Sequence, residues 1–584
     1  MRLFRILTFV LILPLVSRGD TTAEFRAMLD HYYDEYATLF PVDAAINGDQ
    51  DPRLARIWQD DISADHRAKV IAWCDRYLGA LAHTARAELG PSDRISYDIL
   101  MWELTTRRDG TRHFLHLLPV NQFESPTLTF AQMASGAYIH PFRTAADYRD
   151  FLSVAAGYST WVDTAIANLR EGVRKGVVSP RVLMERVLVQ LDPLIVDDPA
   201  TNILFGPLQN LPDTIAEPER ARLQREYGDA VRQVMIPAYR RLRDFIRDEY
   251  LSQARETAGW NVLPGGKEAY AWLVRWQTTT DLRPDEIHAI GLREVARIEG
   301  EMSAVQAKVG FHGTLTEFLN FVATDSRFTP FKTDAEVLDA YRAIEGRVMK
   351  AVPRFFGRMP RTRFEIRETE KFRAASASAE YIAGTADGSR PGIFYVPIVD
   401  PTTFRTPRME DLFLHEAIPG HHFQLSLALE NPDLPRFRRF ESSNAFVEGW
   451  ALYSESLGAE LGLYSDPYQY LGMLLGDMHR AVRLVVDTGI HSLGWSRQQA
   501  LAYGAAHEGG SPETQAAEVE RYMAWPGQAL GYKIGQIRIR DLRDRAQRAQ
   551  GAAFNLAAFH DEILREGAMP LAVLDAHMTD WLRR

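Results

Sequence analysis

The sequence predicts a mainly α-helical protein with one small β-sheet set just before a histidine-rich helix. Three observations carry that prediction. Apolar residues recur at helical spacing through most of the chain. One stretch, residues 363–399, leaves that spacing for short apolar runs around a Gly/Pro-rich turn. Further on, His415-Glu416-Ala417-Ile418-Pro419-Gly420-His421-His422 packs three of the sixteen histidines into eight residues. At 584 residues, 46% hydrophobic and 25% charged, the chain has the composition of a globular protein with a large core or two lobes around a cleft. Its net charge of −10, with no basic block, argues against nucleic acid as a partner.

Arg2 and Arg5 precede an apolar run, Leu7 to Val16, that is too short to span a bilayer comfortably. Ser17 and Gly19 are small residues suited to cleavage before Asp20. Residues 1–19 therefore read as a secretory signal peptide and 20–584 as a single α-rich unit, periplasmic or secreted, with no membrane span in the mature chain. No cysteine follows the apolar run, which disfavours a lipid anchor. Cys74 is the only cysteine, so an internal disulfide and a Cys-ligated zinc are both excluded.

Phe25, Met28, Leu29, Tyr32 and Tyr36 line one face of a first helix that ends before Pro41. Comparable patterns recur at 145–168, 217–255, 284–309, 334–352, 445–461, 468–491 and 554–582, separated by short connections with Pro or Gly. Between the fourth and fifth of these, Arg363 to Arg373 alternates, and the runs 379–383 and 392–399 flank Gly384 to Pro391. That reads as strand, turn, strand: a small antiparallel β-sheet beside the histidine helix, whose edge can pair with an extended peptide.

The histidines lie between Leu412-Phe413-Leu414 and the apolar positions Phe423, Leu425, Leu427 and Leu429, so they are expected inside, where imidazole and carboxylate need a partner or a metal. The string resembles the HExxH helix of zinc hydrolases, in which histidines at i and i+4 share the ion and the glutamate takes a proton from water. Here Pro419 occupies the second histidine's slot. In a regular helix His421 would point about 120° away and His422 would lie about 10 Å along the axis. Pro419, however, removes the N–H that would bond the His415 carbonyl, and Gly420 tolerates backbone angles other residues avoid. A bulge there that loops out two residues brings His421 into the i+4 role, and one that loops out three brings His422.

Zinc also wants a third N or O ligand and an open position for water. Glu448 and Glu455 stand seven apart on one face of the next helix. Glu448, among Phe446, Val447, Trp450 and Leu452, is the candidate ligand, with Glu455 its hydrogen-bonding partner or a surface charge. His479, Arg483, Asp487 and His491 then follow at i+4 spacing, either a salt-bridged seam or a cleft wall in which Asp487 orients His491 toward an oxyanion. Arg483 and Lys533 are the candidate substrate-binding cations.

Together, His415–Gln424 (the pattern HEAxPGHHxQ), Glu448-Gly449-Trp450-Ala451-Leu452-Tyr453, Asp487-Thr488-Gly489-Ile490-His491 and Tyr532-Lys533-Ile534-Gly535 resemble the bacterial domain-of-unknown-function family DUF885. Asp285-Glu286-Ile287-His288 with Gly291-Leu292, and the segment from Phe559-His560 to Pro570-Leu571, extend the likeness over nearly all the mature chain. That family is similar to the helical zinc metallopeptidases of the thermostable carboxypeptidase, angiotensin-converting enzyme and oligopeptidase type. The resemblance implies a large zincin-like helical fold split by a deep channel and cutting short peptides. It implies Zn2+ at His415, a displaced histidine (His421 in preference to His422) and Glu448, with Glu416 as general base and His491 and Tyr532 on the oxyanion. Dipeptidyl peptidase III is similar in tolerating one extra residue between its metal histidines; this chain has two. Two other readings stand beside the peptidase: a helical peptide- or ligand-binding protein with a degenerate metal-free site, and a zinc hydrolase of non-peptide amides or esters.

Overall fold

A computed structural model describes residues 18–584 apart from 50, 52, 137, 370, 375–377, 386, 387, 389, 441 and 442. Residues 1–17 of the expected signal segment lie outside the described residues. The helical spacing of the sequence becomes helices with ordinary starts and stops. Ala145–Lys175 is typical: the Thr144 hydroxyl accepts the Asp147 N–H, Asp147 accepts the Thr144 N–H, and Gly176 closes the far end at φ 70°. Its inner face buries Tyr148, Phe151, Tyr158 and Trp161, each stabilising the fold by about 1.5–3 kcal/mol or more.

Two large apolar cores result, and they interleave in sequence. One joins the helices of residues 18–110 to the histidine region and the C-terminal helices. The other is built mainly from residues 120–258, 295–328 and 471–529. The helix Pro467–His491 feeds both, giving Leu484 to the first and Leu474, Met478, Val482 and Val486 to the second. Because each core draws on distant parts of the chain, no shift in composition marks a boundary.

The strand prediction is met in place but not in pairing. β1 (Phe364–Glu368), β2 (Glu380–Ile382) and β3 (Gly392–Val396) form a three-stranded sheet in the order β1-β3-β2. β2 runs antiparallel to β3, but β1 pairs with β3 in parallel, Ile366 opposite Phe394. The sheet is therefore mixed, not antiparallel. The connection from 369 to 391 is long enough for the crossover a parallel pair requires. β3, central and buried on both faces at Ile393, Phe394 and Val396, is accordingly a continuous apolar run. Part of the turn expected at 384–391 lies outside the described residues.

A cavity of about 540 Å³ runs into the protein and reaches Glu448. A second of about 230 Å³ shares Asp43, Ile46 and Glu124 with it. The two meet at these residues as one channel.

Candidate metal centre

Pro419 ends a helix, as its chemistry dictates, but the result is a break and not the bulge inside one helix that the sequence suggests. Met409–Glu416 stops, Ala417–Gly420 turns, and His421–Leu429 begins a new helix. The turn is held by the His422 N–H on the Ala417 carbonyl (3.1 Å) and by the Trp450 indole N–H on the Pro419 carbonyl (2.9 Å). A Cβ on Gly420 would lie 1.9 Å from the His415 carbonyl oxygen, so only glycine lets the second helix start this close to the first. Glu448 is placed by a comparable approach. Its helix, Asn444–Ser456, crosses Leu530–Gln550 backbone to backbone, and a Cβ on Gly535 would stand 1.9 Å from the Ala445 carbonyl.

The turn brings His421 next to His415. Their rings stand 4.9 Å apart at 88°, and Glu448 Oε2 lies 3.5 Å from His415 Nε2 and 3.7 Å from His421 Nε2. One ligand atom from each of the three falls within 4.8 Å of the others, so His415, His421 and Glu448 can hold a metal ion. The spacings are too wide for hydrogen bonds. They match the roughly 3.3–3.4 Å between two ligands on one ion at 2.0–2.1 Å and a tetrahedral angle. Among the described residues Glu448 Oε2 is buried with no hydrogen-bond partner, a state that costs free energy unless a cation faces it. His415 Nδ1 donates to Glu455 Oε1 at 2.7 Å, which turns the Nε2 lone pair toward the group.

The electrostatics agree. Burial opposes a charge on His415, but Glu448, Glu455 and Glu416 outweigh it and hold the ring's pKa at about 9. That surplus of carboxylate calls for a positive charge, supplied by a proton or by a metal. Burial pushes His421 down to about 4, which leaves it neutral and able to ligate. Burial opposes ionisation of Glu448 as well, but His415 and His421 pull its carboxyl down to about 2. Glu416, beside the group but not part of it, is pushed up by burial to about 7, with Glu448 and Glu380 adding to the rise and His415 and Arg480 opposing it.

His422, the alternative second ligand, turns away: its Nδ1 meets the Tyr381 hydroxyl at 2.9 Å beneath the sheet. The Tyr532 ring lies under the guanidinium of Arg483 (4.9 Å) and of Arg480 (6.0 Å), and burial together with the Glu448 charge raises its phenol. Arg483 also pairs with Glu518 at 3.1 Å. Arg480 acts on both Glu416 and Glu448, and sequence reading passes over it because it falls beside the i+4 stripe.

Two expected site residues are elsewhere. His491 is fully buried, its Nδ1 accepting the Trp260 N–H (3.2 Å) and its Nε2 donating to the Tyr522 carbonyl (2.9 Å), so neither nitrogen is left for an oxyanion. Asp487 does not orient it, but accepts from the Tyr270 hydroxyl (2.6 Å) and the Gly527 N–H. Lys533, also fully buried, gives its ammonium to Asp477 and Glu294 and has nothing to offer a substrate carboxylate. From Ala481 onward every residue of the helix is buried, so the far end of the polar stripe is a seam in the core and not a channel wall.

The family described as bacterial protein of unknown function, DUF885, matches residues 41–578. Among curated proteins, none matches the chain. The "putative lipoprotein from Colwellia psychrerythraea" is 27% identical, with a TM-score of 0.86 over 97% of this chain and 100% of that one. A "putative lipoprotein of unknown function" from Shewanella oneidensis shares the fold at 18% identity, with a TM-score of 0.74 over 97% of this chain and 100% of its own. Among the described residues, no helix is long and apolar enough to cross a membrane. With the match spanning most of its length, the chain belongs to the DUF885 family.

Proposed function

We propose that this DUF885 protein is a metal-dependent hydrolase, a zincin-like helical peptidase that cleaves short peptides outside the cytoplasm. One observation carries the reading: two imidazoles and a carboxylate converge on a point beside a fourth group, Glu416, that is not one of the three. The donor set suits zinc, which when bound would supply a Lewis acid and make water acidic enough to lose a proton near neutral pH. Glu416, with a carboxyl near 7, accepts that proton and returns it to the leaving amine. The Tyr532 phenol donates to the carbonyl oxygen as negative charge develops there, the part for which His491 is unavailable. Glu455 holds the His415 ring in its ligating orientation. The cavity that reaches Glu448, about 540 Å³, is of the size that encloses small ligands.

The location rests on the signal-like residues 1–19 and on the lipoprotein designation of both structural neighbours. The test is metal analysis of the purified protein followed by digestion of a peptide library, with Glu416→Gln as control. One zinc per chain and cleavage lost in the variant support the proposal. Full cleavage by the variant removes Glu416 as base, and a protein that retains no metal after zinc loading removes the hydrolase reading.

A further inference from the structure

Away from the three candidate ligands, the channel lining carries charges that nothing among the described residues neutralises directly. Asp43 and Glu124 line both cavities where these meet, and neither carboxylate makes a hydrogen bond or an ion pair among the described residues. Both face the water of the channel, while the surrounding protein pushes their carboxyls up. Asp61 in the second cavity is likewise raised, to about 6, though the Trp161 indole N–H bonds it. Asp43 also repels both Asp61 and Glu124.

The cations nearby are committed elsewhere. Arg107 acts on Asp43 from a distance, but its guanidinium is bonded to Glu103 at 2.6 Å and lies against Phe40, Tyr36 and Trp276. Arg521 acts on Glu124, but bonds Gln528 at 2.9 Å and faces Glu518. Aromatic faces complete the walls: Trp102, Trp276 and Trp525 in the larger cavity, Phe40 and Trp58 in the smaller. Carboxylates framed by aromatic rings are what an organic cation binds.

A second observation points to a ligand rather than to a merely acidic wall. Gln277 lines the larger cavity, only 7% exposed; its carbonyl oxygen accepts from Asn444, and its NH2 makes no hydrogen bond among the described residues. Ser443, lining the same cavity, has a buried hydroxyl with no partner among the described residues. Both stand at the start of the helix that carries Glu448. Unfilled donors beside Glu448 and unfilled negative charge further along suit a chain with carbonyls at one end and an ammonium at the other.

We infer that Asp43 and Glu124 form a cation subsite in the channel, taking the aliphatic ammonium of a short peptide whose carbonyls lie toward Gln277, Ser443 and Glu448. The inference deepens the peptidase reading and rests on it for the orientation of the ligand. The ammonium can be the peptide's amino terminus or a lysine side chain.

The test measures binding and not turnover, using Glu416→Gln holoprotein and the fluorescence of the channel tryptophans. Trialanine, N-acetyl-trialanine and N-acetyl-Ala-Lys-Ala are titrated in turn. A peptide with a free amine binds at least about tenfold tighter than N-acetyl-trialanine, and whichever amine gains the advantage identifies the source. In the Asp43→Asn, Glu124→Gln double variant that advantage falls below about threefold, with N-acetyl-trialanine affinity unchanged as the control for folding. Equal binding of all three peptides overturns the subsite, as does an advantage that survives the double variant. Should the protein retain no metal, the peptidase reading fails while the amine preference can still be read.

Discussion

Two buried clusters in this protein are made of the same ingredients and end in opposite states. Around His415, two imidazoles and two carboxylates leave Glu448 Oε2 facing Nε2 of each ring, at 3.5 and 3.7 Å, with no hydrogen-bond partner among the described residues. Around His491, every ring nitrogen and the Asp487 carboxylate are taken by the Trp260 and Gly527 N–H groups, the Tyr522 carbonyl and the Tyr270 hydroxyl. The first cluster can still take a cation; the second is complete as protein. Burial, helix and residue type do not separate a metal site from a core histidine. What separates them is whether the polar atoms have already found partners.

Breaking each cluster should therefore do different things. The largest effect is expected from Glu416→Gln, which removes the proposed proton acceptor and leaves His415, His421 and Glu448 alone. Peptide turnover should fall by about 10²–10⁴-fold, with metal content by mass spectrometry unchanged. Next, His421→Ala should weaken metal affinity by more than about a hundredfold, beyond what the loss of an outer hydrogen-bonding partner does. His422→Ala, by contrast, should leave metal affinity within about twofold, as competition with a chelator reads it. Glu455→Gln tests the outer support: with His415 less firmly turned, affinity should drop about 10–100-fold. The smallest functional effect belongs to His491→Ala. Metal affinity should not move, while the cavity and the orphaned Trp260 N–H and Tyr522 carbonyl should cost about 2–4 kcal/mol in a denaturant titration. A metal defect in that variant would erase the distinction between the clusters.

How much of this was legible in the sequence follows the same line. Pro419-Gly420 marks the interruption of the helix directly, because proline cannot continue it, but the sequence reads as a bulge where the fold has a break, and the approach to the His415 carbonyl that only glycine fits shows only in the fold. Glu448 and Glu455 were legible from their spacing and apolar setting. His491 and Lys533 were not read correctly, because their partners are 231, 56 and 239 residues away: Trp260 for the first, Asp477 and Glu294 for the second. Nothing in the local pattern says that a ring nitrogen or an ammonium is already occupied. The parallel pairing of β1 with β3 was hidden for a similar reason, since the pattern marks strands and their turns but not which strand takes the centre. Asp43 and Glu124 carry no motif at all; only the fold brings them to one wall.

The most direct test is the metal content of four proteins dialysed side by side against buffered zinc: the parent chain, His415→Ala, His421→Ala and His422→Ala. One ion per chain in the parent and in His422→Ala, with none in the other two, is the predicted result. An ion lost from His422→Ala but retained by His421→Ala, or no ion in the parent chain, would contradict the account.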